Sequence, residues 1–167
     1  MAARTKARKR ALDVLYAAEM RGQDPLAELE AAVEAGEGPT NPYTATLVRG
    51  VVDHQPRIDE VLTSYSERWT LDRMPAVDRS ALRIGAFELL YSTEVPHAVA
   101  VTEAVALVRN LSTDDSPAFV NGVLGSMMRD RDDLVADGGT AAAAAKGATD
   151  GVVAEPAEPV EEPHPEV

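Results

Sequence analysis

The chain has 167 residues, no cysteine, 4% aromatic residues and a formal net charge of -12. The missing cysteines exclude disulfides, thiolate metal sites and thiol catalysis, and the acidic balance argues against non-specific nucleic-acid binding by the whole surface. There is no apolar run of about 18 residues to span a membrane and no apolar region of a secretory signal near the start, so a soluble, cytoplasmic protein is expected.

The first helix is expected from about Thr5 to Arg21, with Ala7, Ala11, Val14, Leu15 and Ala18 at helical spacing and Gly22 as its stop. Lys6, Lys9 and Arg10 fall mostly off that apolar face. Asp24-Pro25 and Asn41-Pro42 each place a capping side chain before a proline, which predicts two further helix starts. Gly50 lies inside the second of these, where close approach of a neighbouring helix is the expected reason. Gln55-Pro56 predicts a break and a new start, with Ile58, Val61, Leu62 and Tyr65 on its apolar face. Trp69, Leu71 and Met74 are expected to cap the core. Pro75 opens a helix to about Tyr91 that is apolar nearly all round, so it should be central and covered on several sides. A helix over about Ala100 to Leu111 follows. The last one starts at Ser116-Pro117 and runs into the charged, solvated stretch Arg129 to Asp133.

These elements predict an all-α fold of about seven helices, with a seam near Gln55-Pro56. Residues 1–133 form the helical domain, with subdomains of about 1–55 and 56–133. Residues 134–167 hold one lysine and seven acids among Ala, Gly and Pro. Such a segment buries too little apolar surface to offset its ordering entropy and is expected to be a disordered acidic tail. Residues 1–133, with 15 Lys+Arg and 21 Asp+Glu, carry half of the net charge, and the tail carries the other half.

Motifs of enzymatic chemistry are absent: no Gly-rich phosphate loop, no nucleophile elbow and no paired histidines. His54, His97 and His164 are dispersed, so neither catalysis, a metal nor a cofactor is expected. Two features remain. The first ten residues hold five cations, Arg4, Lys6, Arg8, Lys9 and Arg10, and no acid. This reads as a solvated terminus or as an arm that meets phosphates. Near the other end stands D-D-S-P-A-F-V-N-G-V-L, Asp114 to Leu124. Phe119 there suits either the core or stacking on an unpaired base, and Asn121 suits either a helix surface or base-edge contact.

The motifs V-D-R-S-A-L-R-I-G-A-F-E-L (77–89), V-A-V-T-E-A-V-A-L (99–107) and F-V-N-G-V-L (119–124), with the basic start and A-L-D-V-L-Y (11–16), resemble the NusB family over about Ala3 to Arg129. The resemblance implies two helical bundles packed nearly at right angles. It also implies transcription antitermination in ribosomal RNA operons, through binding of boxA single-stranded RNA with the ribosomal protein NusE, within an RNA polymerase antitermination complex. A homodimer is left open. Carried over by position, the five arm cations would meet phosphates, and Tyr16, Phe119 and Asn121 would lie near bases. Asp115 would sit beside them as an unfavourable charge, and Asp78 would face NusE. Pro117 and Ala118 stand where the family often has Lys or His. Two other readings are weighed: a fused RNA methyltransferase, for which nothing after Asp133 supplies a catalytic domain, and a helical protein-binding adaptor without RNA.

Overall fold

The computed structural model describes residues 2–138. Six helices follow in order: α1 (Ala3–Arg21), α2 (Pro25–Glu34), α3 (Pro42–Tyr65), α4 (Ala76–Tyr91), α5 (His97–Leu111) and α6 (Ser116–Arg129). A seventh, α7, covers 131–138, and no strand occurs among the described residues.

Local chemistry sets most boundaries. Gly22 takes φ 64°, and the bonds Gln23 N–H to Ala18 O (2.8 Å) and Gly22 N–H to Glu19 O (3.2 Å) close α1 as a Schellman motif. The Asp24 carboxylate accepts from Leu26 N–H and the Asn41 amide oxygen from Tyr43 N–H, each ahead of a proline at the first helical position. At α6 no side chain caps the start. Ser116 is already helical, and its hydroxyl joins those of Ser112 and Thr113 at 3.1 and 2.8 Å.

The helix count agrees with the sequence reading, but the partition differs. No break occurs at Gln55-Pro56; α3 runs through Pro56 for 24 residues. Leu47, Val51, Ile58 and Leu62, all fully buried, continue one stripe across the proline. Burial of that stripe outweighs the one backbone bond that proline forfeits. The missing helix is recovered at 131–138, part of which the sequence assigned to the tail. Arg131 Nε donates to Leu89 O at 2.6 Å, Arg57 pairs with Asp137 at 3.1 Å, and Leu134 packs on the core. The ordered body therefore extends past residue 133. The rest of the expected tail, from 139, lies outside the described residues.

Helix α4 is central, as its all-round apolar pattern predicts, and packs against α1, α3, α5 and α6. Helices α1, α2 and the start of α3 form one group; α4, α5 and α6 form the other, with the second half of α3 against it. Arg83 of α4 ties them together, bonding Asp59 of α3 at 2.8 and 2.9 Å and Glu19 of α1 at 3.5 Å.

Two glycines allow close approach. A Cβ on Gly85 would meet Leu124 Cδ1 at 2.5 Å, and one on Gly50 would lie 2.2 Å from the Phe87 ring. Gly50→Ala gains about 1 kcal/mol in helix propensity, but overpacking costs about 1–3 kcal/mol, and a contact this short belongs at the top of that range. A net loss of stability is expected in urea unfolding. A midpoint at or above that of the parent would mean the ring moves aside freely.

Candidate nucleic-acid interface

The five cations of the N-terminal arm all stand on α1, and the helix distributes them. At about 100° per residue, Arg8 falls between Leu12 and Leu15, on the buried stripe. There it is 3% exposed and meets Glu88 of α4, which is 0% exposed. The pair is bidentate, with Nε and Nη2 donating to the two carboxylate oxygens at 2.7 and 2.8 Å. Glu103 lies 3.8 Å from Nη1. Burial would depress the Arg8 pKa; the hydrogen bond and charge of Glu88, joined by smaller contributions from Tyr43 and Glu103, leave it raised. Tyr43 stands under both Arg8 and Arg4, 5.7 and 4.9 Å from ring centre to guanidinium carbon. Burial first, then the charge of Glu88, push its hydroxyl up to about 12.

The other four cations face outward in different company. Arg4 pairs with Glu94 at 3.0 Å, and Lys9 with Asp13 one turn along at 3.3 Å. Lys6 and Arg10 have no carboxylate partner among the described residues, though Arg10 Nη2 donates to the Glu37 carbonyl at 3.2 Å. These two line a cleft of about 270 Å³ with Ala7, the Gly38–Thr40 stretch, Asn41 and Thr44. No acid contributes to its walls. Tyr16, 39% exposed, continues the outer strip of α1.

The second expected cluster is divided too. Asp115 and Asn121 are exposed, but Phe119 is 7% exposed and packs edge-on to Trp69, ring centres 4.8 Å apart. The side chains of Arg8 and Phe119 are thus placed in the interior, not on a shared face open to solvent. Asp78 is fully buried as well. Ser112 Oγ donates to its Oδ1 at 2.6 Å, and Oδ2 has no hydrogen-bond partner among the described residues. It therefore does not present its carboxylate to a partner surface.

Spacing marks neither Glu88 nor the 38–40 stretch as part of a site, and Tyr43 reads from the sequence only as part of its helix's apolar stripe. Glu88 did leave a signal, being an acid on a helix apolar nearly all round, where a charge requires a buried partner. Of the histidines, His54 stacks on Tyr91 with ring centres 3.8 Å apart. No three His, Cys, Asp or Glu residues among the described ones are grouped to hold a metal.

The family model described as "NusB family" matches residues 5–129. The chain belongs to the NusB family. As a member it is a transcription antitermination factor and not an enzyme. It is 66% identical over 134 residues to the transcription antitermination protein NusB of Nocardioides sp., covering 80% of this chain and 99% of that one. A fifth of this NusB-family chain thus has no counterpart in that match. The NusB of Kineococcus radiotolerans is 58% identical over 124 residues, 74% of this chain and 91% of its own. Among solved structures, T. maritima NusB aligns with a TM-score of 0.70 at 27% identity, covering 78% of this chain and 94% of that one. A structure of the antitermination factors NusB and NusE in complex with dsRNA aligns at 0.66 and 29% identity, covering 75% of this chain and 96% of that one. No helix among the described residues is long and apolar enough to cross a membrane.

Proposed function

We propose that the outer strip of α1, with Lys6, Lys9, Arg10 and Tyr16, binds boxA-type single-stranded RNA together with NusE. In this reading the protein acts in the cytoplasm within the RNA polymerase complex that reads through ribosomal RNA operons. The observation that carries the reading is the pair of cations, Lys6 and Arg10, which have no carboxylate partner among the described residues and line an exposed cleft. Arg4 adds a charge shared with Glu94, and the exposed Asn121 offers donors and an acceptor to a base edge. Asp115, exposed at the start of α6, opposes phosphate. The solved complex of NusB and NusE with dsRNA supports RNA and NusE as the classes of partner.

The charge pairing changes the expected salt dependence. Five phosphate contacts would give a log-log slope of about -3.5 on single-stranded RNA, but two give about -1.4. Titration of a boxA oligonucleotide at several salt concentrations, with NusE present, is expected to give the shallower value. Lys6→Ala with Arg10→Ala should flatten it further, leaving only the paired cations Arg4 and Lys9. A slope untouched by that double change would remove the strip from the RNA site. The adaptor reading, with no RNA, draws on the ion pairing of Arg4, Arg8 and Lys9. It predicts NusE binding with no RNA signal in the same titration.

A further inference from the structure

We infer that the acidic C-terminal segment of the same chain docks in the Lys6–Arg10 cleft and competes there with RNA. The competition rests on the RNA reading above; the docking does not.

The cleft selects for negative charge. Its walls carry an ammonium and a guanidinium and no acid. It also abuts the N-terminal end of α3 at Asn41 and Thr44, where the helix dipole is positive. Elsewhere on α1 the cations already have carboxylates: Arg4 has Glu94, Arg8 has Glu88 and Lys9 has Asp13. An acidic segment arriving at this helix therefore finds its unmatched charge at one place.

The chain itself supplies such a segment. From Asp150 to Val167 it holds six acids, Asp150, Glu155, Glu158, Glu161, Glu162 and Glu166, and neither lysine nor arginine. Twenty-nine residues follow the described body, which ends with Gly138 beside Arg57. Twenty-nine residues can span at most about 100 Å, whereas a domain of this size has a radius of gyration of about 14 Å. The cleft is within reach wherever the segment starts on the surface. Being tethered, the carboxylates stand at an effective concentration of order millimolar, and any external anion must displace them.

The test uses the full chain and a full-length variant with Asp150→Asn and Glu155, Glu158, Glu161, Glu162 and Glu166 each changed to Gln. Backbone amide NMR spectra of the two, without RNA, are expected to differ at Lys6, Arg10, Gly38, Thr40, Asn41 and Thr44, and the difference should vanish in 1 M salt. Identical spectra at those positions would overturn the docking. Next, a single-stranded RNA oligonucleotide is titrated at low salt. The variant should bind about two- to tenfold tighter, the factor by which partial occupation by the segment lowers apparent affinity. In the Lys6→Ala, Arg10→Ala background that gain should disappear. A gain that persists there would overturn the cleft as the point of competition. Shifts at the cleft with no RNA binding by either chain would leave the docking standing and defeat the RNA reading instead.

Discussion

Arg8→Ala is expected to lower stability by about 3–5 kcal/mol, because it strands a buried carboxylate. Glu88 is 0% exposed, and the Arg8 fork supplies both of its close charged hydrogen bonds. Without that fork, the Glu88 carboxylate loses both of these bonds while staying in the core. Glu88→Ala should be as damaging, since it leaves a guanidinium buried over the Tyr43 ring. Replacing both partners together, Arg8→Met with Glu88→Leu, should recover most of the loss, as apolar pairs of similar volume commonly do. Urea unfolding followed by circular dichroism checks all three. If Arg8→Ala kept its midpoint while RNA affinity fell, the side chain would belong to the RNA face after all.

Phe119→Ala is the second large effect, about 3–5 kcal/mol for deletion of a buried ring. Part of that, about 0.5–1.5 kcal/mol, is the edge contact with Trp69. Trp69 precedes α4 and Phe119 opens α6, so the ring pair fastens the approach to α4 against the last long helix. A ring spent in this way is not available to stack on a base, and RNA affinity per folded molecule should be unchanged. An affinity loss of about 1–3 kcal/mol with normal unfolding would be the signature of a stacking platform instead.

Composition and periodicity sufficed for the all-α class, for the centrality of α4 and for the starts at Asp24-Pro25 and Asn41-Pro42. Those signals are local, and tertiary packing reinforced them. The proline at position 56 misled because a local rule met a tertiary override. The stripe Leu47, Val51, Ile58 and Leu62 was visible across it and carried more weight. The basic arm misled in another way. Five cations close in sequence look like one patch, yet a helix turns them to different sides and offers each a different neighbour. Arg8 could have been separated from the rest by its angular position beside Leu12 and Leu15. Its partner, 80 residues away, could not be found by spacing. Phe119 was ambiguous from sequence because a first-turn aromatic suits core and surface alike; only the position of Trp69 decides.

The continuity of α3 has a consequence for how the molecule comes apart. A helix of 24 residues is about 36 Å long, enough to act as a common spine for both helical groups. Severing it in the middle would leave each fragment holding half a ridge of bare aliphatic side chains. The halves therefore have no separate melting behaviour to display: strain applied to one is transmitted along the spine, and the whole body should lose its order in a single step.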